Sequence, residues 1–248
     1  MSRRARRLAA AVLAGALLPL TGCADDESTT LRVLAAASLS DVFTELGDQF
    51  EADHDGVEVE FSFGSSTDLA EQAADGAPGD VLATADETSM TVAGDAGAVD
   101  DPAAFATNVL VIAAPPDNPA GIATLGDLDG STWVRCADDV PCGRIALAVL
   151  EDAGVDAEPV SLEEDVRATL DKVISGEADA GLVYASDAVA AGGDVTAIPI
   201  EGAEAQLTSY FIDALDQSGD RDLAEDWVDL VTGPDGQAAL TEAGFTLP

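Results

Sequence analysis

The sequence predicts an α/β protein whose sheets are mixed but mostly parallel, flanked by helices and divided between two lobes. Three observations carry that expectation. Short apolar strands alternate with amphipathic helices along most of the chain, and several strands end at a serine or another capping residue that opens the next helix. Two apolar runs, residues 107–114 and 207–212, are placed to cross from one lobe to the other. Two crossings put both ends of the chain in one lobe, so residues 31–107 plus 209–248 are expected as lobe I and 108–208 as lobe II. A chain of 248 residues with 47% hydrophobic content can bury a sizeable core and is not disordered throughout.

The first strand, Val33-Leu34-Ala35-Ala36-Ala37, stops at Ser38. Leu39, Val42, Phe43, Leu46 and Phe50 then lay one buried stripe along a helix over residues 39–53, which places Ser38 at the N-cap. First-turn amides have no partner inside the helix and the macrodipole is positive there, so the position suits an anion; a serine can also cap its own helix and do nothing more. Val57-Glu58-Val59-Glu60-Phe61-Ser62-Phe63 alternates with period two as a half-buried strand. It ends at Gly64-Ser65-Ser66 before a helix over 67–74, so Ser66 repeats the arrangement at Ser38. Asp80-Val81-Leu82-Ala83 is a short strand, followed by loop and helix rich in Ala and Asp, and then by the first crossing, which Pro115-Pro116 ends.

A strand over 132–135 leads to Cys136 and on to a helix through Ile145, Leu147, Ala148 and Leu150 that stops at Gly154, with Cys142 and Gly143 at its N-terminus. Ser161 is expected to open the next helix, which carries Val166, Leu170, Val173 and Ile174 on one face and ends at Gly176. Residues 180–184 read as a buried strand, Ser186-Asp187 as a helix start, and 195–199 as a short strand before the second crossing. Helices over 223–231 and 236–243 close the chain. The capping residues fall at the carboxyl ends of strands, where α/β sheets bind ligands.

Residues 1–22 are of another kind. Arg3, Arg4, Arg6 and Arg7 precede an apolar run over 8–20 that is too short for a permanent membrane span, which marks a secretory signal. Leu20-Thr21-Gly22-Cys23 resembles the lipobox of bacterial lipoproteins, which implies cleavage before Cys23 and its acylation. Residues 23–30 would be a lipidated tether, its polar part, 24–30, reaching at most about 25 Å. The paired arginines also fit twin-arginine export. Cleavage leaves 6 basic residues against 48 acidic ones, a formal charge of −42, which excludes nucleic acid and anionic lipid headgroups as ligands. Cys136 and Cys142 then remain in a compartment where disulfides persist; their spacing favours a structural bridge over a metal or redox pair.

An enzyme is the other class to weigh. His54, the one histidine, sits in an Asp-rich turn remote in sequence from the capping serines, and there is no nucleophile elbow, P-loop or dinucleotide fingerprint. The acidic stretch 216–222 lacks the calcium-loop pattern.

Five segments carry a more specific signal: Ala35-Ala36-Ala37-Ser38-Leu39, Phe63-Gly64-Ser65-Ser66, Val140-Pro141-Cys142-Gly143, Glu164-Asp165-Val166-Arg167 and 181–188 around Tyr184. In this order they resemble the ligand segments of periplasmic molybdate-binding proteins, the substrate receptors of molybdate ABC importers, over nearly the whole mature chain. The resemblance implies a type II two-lobed periplasmic-binding-protein fold with the crossing strands as hinge, no catalysis and no cofactor. It implies that molybdate, with tungstate alongside, is held by the amides and hydroxyls of Ser38 and Ser66, the amides of Cys142 and Val166, and the Tyr184 hydroxyl. The metal stays inside its oxyanion and no protein group coordinates it. The implied protein is a monomer on the outer face of the cytoplasmic membrane, anchored through Cys23 and serving an ABC permease. Sulfate, phosphate or a small organic acid is the alternative ligand. Many relatives carry alanine where this chain has Cys142; only the amide is used there, which leaves the side chain free to bond Cys136 and brace the loop. Arg144 and Arg167 are read as exposed first-turn residues paired with nearby acids rather than as counter-ions of the ligand.

Overall fold

The protein is seen in a computed structural model that describes residues 28–248; the expected leader, Cys23 and most of the tether lie outside the described residues. The chain runs β1 (Thr29–Ala36), α1 (Ser40–Asp53), β2 (Val57–Gly64), α2 (Ser66–Ala74), β3 (Val81–Thr84), α3 (Glu87–Asp95), β4 (Ala103–Asn108) and β5 (Leu110–Ala114). It continues through β6 (Trp133–Cys136), α4 (Pro141–Ala153), β7 (Ser161–Glu163), α5 (Val166–Ile174), β8 (Ala180–Tyr184), α6 (Ala185–Ala191) and β9 (Thr196–Pro199). It closes with β10 (Thr208–Ala214), α7 (Arg221–Thr232) and α8 (Pro234–Glu242). Among the described residues no helix is long and apolar enough to cross a membrane.

Two five-stranded sheets result, ordered β2-β1-β3-β10-β4 and β7-β6-β8-β5-β9. In each, the strands joined through helices pair in parallel and the strands that bring the chain back pair antiparallel. Thus β1 is parallel to β2 and β3, while β10 runs antiparallel to β3 and β4. In the second sheet β6 is parallel to β7 and β8, while β5 runs antiparallel to β8 and β9. The mixed α/β architecture expected from the alternating pattern is the one observed.

Both faces of β1 are covered, which is why it reads as an unbroken apolar run rather than an alternating one. Leu31, Val33 and Ala35 face the core shared with α1, α7 and α8, while Leu34 faces the smaller core under α2 and α3. Trp227 from α7 anchors the first of these, with its ring 5.5 Å from those of Phe43 and Phe50. The second sheet has its own core around Ile112, Trp133 and Leu182.

Several local expectations are corrected. The run 107–114 is not one strand: β4 ends at Asn108 in the first sheet and β5 begins at Leu110 in the second. Asn108 breaks the ladder because its own carboxamide takes over the hydrogen bonding, accepting from the Val109 amide at 3.0 Å and donating to Ser186 at 2.8 Å. At the other crossing β10 lies wholly in the first sheet, while Ala203 just before it packs into the second core. Ser161 opens no helix; Ser161–Glu163 is β7, paired with β6, and α5 is capped by the Asp165 carboxylate, which accepts from Ala168 at 2.9 Å. Ser38 is not the N-cap of α1, because a single 3-10 turn, Ala37–Leu39, intervenes. The helix expected over 67–74 starts one residue earlier, at Ser66, and Ala185 rather than Ser186 begins α6.

Candidate functional site

The strands of both sheets deliver helix starts to one small cavity. Ala36 ends β1 and leads into the turn carrying Ser38; Gly64 ends β2 before α2; Tyr184 ends β8 before α6. These residues, with the N-terminal turns of α4 and α5, line the cavity. Ser38, Ser66, Cys142, Val166 and Tyr184 are therefore all brought together, although they span 146 positions of sequence. Cys142 and Val166 lie within the first turns of α4 and α5, where backbone N–H groups lack a partner in the helix.

The two serine hydroxyls are oriented from behind. Ser66 Oγ accepts the Ala85 amide at 2.9 Å, so its own proton is free for another acceptor. Ser38 Oγ lies 2.8 Å from the hydroxyl of Tyr210. Burial, the nearby Asp187 charge and a site with little water hold the Tyr210 phenol well above its ordinary range, so it remains a donor and turns the Ser38 proton outward. Tyr184 is held protonated in the same way, first by burial and then by Tyr210, Asp86 and Asp187. The Tyr184 hydroxyl and the Ser65 hydroxyl are both buried with no hydrogen-bond partner. Such groups cost about 1–3 kcal/mol each until something satisfies them.

No lysine or arginine lines the cavity among the described residues. Its carboxylate, Asp165, is engaged as the cap of α5. The arrangement can thus offer several neutral donors to an acceptor-only guest, and it supplies neither a nucleophile–base pair nor a metal-binding cluster.

Cys142 is joined to Cys136 in a disulfide, with Cα atoms 5.7 Å apart. The loop they close is folded tightly on itself: a Cβ at Gly143 would lie 1.7 Å from the Ala137 carbonyl oxygen. Gly143→Ala is therefore expected to push the loop apart and destabilise the fold by about 1–3 kcal/mol, a drop of about 2–12 °C in melting temperature. Thermal unfolding followed by circular dichroism checks this, and an unchanged midpoint would show that the loop yields freely.

Arg144 and Arg167 are paired with acids, but they are not the exposed surface residues expected, with side chains 29% and 23% accessible. Each reaches from the second-sheet half to the first. Arg144 Nη2 is 2.5 Å and Nε 2.9 Å from Asp86 Oδ2, and Nη2 also donates to Ser89 at 3.2 Å. Thr67 joins the same contact by donating to the Asp139 carbonyl at 2.9 Å. Arg167 pairs with Asp41 on α1, and its Nε lies 3.0 Å from Oδ1 of Asp187. Asp187 is wholly buried, accepts the Tyr184 amide at 3.0 Å, and has its carboxyl pushed up to about 7 by burial, against the opposing pull of Arg167 and that amide. Asp86, Asp187 and Tyr210 were not legible as site residues, although a tyrosine inside an otherwise apolar crossing is a polar group that has to find a partner.

Comparison with known proteins places the chain. The family model for bacterial extracellular solute-binding proteins matches residues 31–246. The molybdate-binding protein ModA of Mycobacterium tuberculosis is 40% identical over 222 residues, covering 88% of this chain and 85% of that protein. ModA of Escherichia coli is 30% identical over 254 residues, covering 95% and 97%. Among solved structures, the periplasmic molybdate-binding protein of Azotobacter vinelandii superposes with a TM-score of 0.78 at 23% identity, covering 88% of this chain and 99% of that one. The sulfate-binding protein SubI of M. tuberculosis superposes with 0.76 at 19% identity, covering 88% and 86%.

Proposed function

This chain belongs to the bacterial extracellular solute-binding proteins, and from that premise we propose that it captures molybdate, with tungstate accepted alongside, for delivery to an ABC importer. The observation that carries the reading is the convergence of Ser38, Ser66, Cys142, Val166 and Tyr184 on one cavity free of basic side chains. Molybdate is a tetrahedral dianion with no proton to give at neutral pH, so it is best met by groups that only donate. The amides and hydroxyls of Ser38 and Ser66, the amides of Cys142 and Val166, and the Tyr184 hydroxyl are such groups. Hydrogen bonds to a charged acceptor contribute about 1.5–3 kcal/mol each, which leaves a net gain after the costs of ordering and desolvation.

Selection follows from size. Donors fixed in two halves of the molecule at the spacing of a larger tetrahedron close poorly on sulfate, whereas tungstate fits as molybdate does. Hydrogen phosphate needs an acceptor for its proton, and the nearby carboxylate is already the cap of α5. Lobe I, residues 31–107 plus 209–248, and lobe II, residues 108–208, would part at Asn108–Val109 and near Leu207, with the anion drawing them together. Anchored through Cys23 on the outer face of the cytoplasmic membrane, a monomer would present its cargo to the permease.

An oxyanion panel on the soluble fragment beginning at Ala24 tests the assignment. Ligand at about 100 times Kd adds about 2.7 kcal/mol, so molybdate and tungstate are expected to raise the melting temperature by about 5–11 °C. Sulfate and phosphate at the same concentration leave it in place. Equal shifts with sulfate would replace the assignment by a general oxyanion receptor.

A further inference from the structure

We propose that Ser65 is a further ligand donor, so that the first-sheet half of the cleft grips the anion with three serine hydroxyls rather than two; the inference rests on the oxyanion reading above. Ser65 is the N-cap of α2, in the extended conformation that position requires, with φ −60° and ψ 128°. A serine there ordinarily turns its oxygen back to accept an amide of the first turn. This one does not: its side chain makes no capping hydrogen bond. The residue is 6% exposed, and its Oγ is inaccessible to water and without any partner.

A buried hydroxyl that neither caps nor bonds is held for something else. Two observations say what. Ser65 lines the same cavity as Ser66 and Tyr184. Among the described residues, the buried hydroxyls without a partner are those of Ser65 and Tyr184, one from each half of the molecule, and both border that cavity. The first-turn amides of α2 that Ser65 leaves unpaired are also there to meet a negative charge. Ser66, by contrast, has its oxygen occupied by the Ala85 amide, so the adjacent serines are not interchangeable: one is aimed by the protein, and the other waits for the ligand to aim it.

This assignment gives Ser65→Ala an unusual signature. Removing a capping hydroxyl lowers stability, whereas removing an unsatisfied buried one does not. The experiment measures molybdate affinity by calorimetry, and the ligand-free melting temperature, for wild type, Ser65→Ala and Ser65→Gly. Glycine is included because it suits an N-cap and guards against a folding defect peculiar to alanine. Both variants are expected to bind about 10-fold or more weakly, with a ligand-free midpoint equal to or above that of wild type. Affinity within twofold of wild type in both variants overturns the proposal. So does a loss of affinity accompanied by a lowered ligand-free midpoint, which would mark the hydroxyl as structural. A wild-type protein that ignores molybdate and responds to sulfate overturns the ligand assignment alone, and the same three proteins titrated with sulfate still decide Ser65.

Discussion

Replacing Ser38 and Ser66 together by alanine is expected to abolish the rise in melting temperature that molybdate produces. Each change removes a hydroxyl bond to a charged acceptor worth about 1.5–3 kcal/mol, so the pair weakens binding by about 100-fold to 10,000-fold. At a ligand concentration that gives wild type about 2.7 kcal/mol, nothing measurable is left. The variants also strand the groups that aimed those hydroxyls: Ser38→Ala leaves the Tyr210 hydroxyl without its 2.8 Å partner, and Ser66→Ala leaves the Ala85 amide without its acceptor. The ligand-free midpoint should therefore fall as well, unlike that of the Ser65 variants. Thermal melts with and without molybdate, with circular dichroism to establish that the double variant is folded, decide the matter. A folded double variant that keeps a shift within about 1 °C of wild type would remove the serine hydroxyls from the site.

What the sequence disclosed and what it concealed divide along a physical line. Strand-to-helix junctions are local: Ser66 and Val166 stand at helix starts because the apolar period changes from two to 3.6 within a few residues, and that change is written in the chain itself. The pairing of junctions is not local. Nothing near Ser38 announces Tyr210, which comes 172 positions later to hold its hydroxyl, and nothing near Ser66 announces the Ala85 amide. Ser161 misled because a serine before an acidic, helix-forming stretch looks like a cap, while the competing strand is three residues long and owes its existence to pairing with β6. Asn108 misled in the other direction, since one polar residue inside an apolar run does not reveal that its carboxamide will end the ladder. The acid partners of Arg144 and Arg167 could be guessed from the abundance of carboxylates, but which carboxylate, and from which half, depends on how the two sheets face each other.

Arg167→Ala and Arg144→Ala look like the same experiment in sequence and are expected to give different results. Arg167 is the cation beside Asp187, which has no exposure to solvent. Taking it away leaves a buried carboxylate without its counter-charge, a loss of about 3–5 kcal/mol and about 10 °C or more in melting temperature at neutral pH. The loss depends on pH with a definite sign. The Asp187 carboxyl is pushed up to about 7 in the folded protein, against about 4 in an unfolded chain. The folded state therefore holds the proton more tightly, so the contribution of this group to stability is full below about pH 4 and is lost as pH rises through 7. Without Arg167 the carboxyl shifts higher still, so the deficit of the variant should be small at pH 5 and widen toward pH 8. A deficit constant over that range would mean that Arg167 acts through packing rather than charge. Arg144 meets an acid that is 14% exposed and that also caps α3 by accepting from Ser89 at 2.9 Å. When the halves part, Asp86 can be hydrated, so the contact is lost mainly from the closed form. Arg144→Ala should then weaken molybdate binding about 10-fold while moving the ligand-free midpoint little, with Arg144→Lys in between because an ammonium cannot reproduce the guanidinium fork. An Arg144→Ala protein with unchanged affinity would mean that the contact between α4 and α3 is incidental to closure.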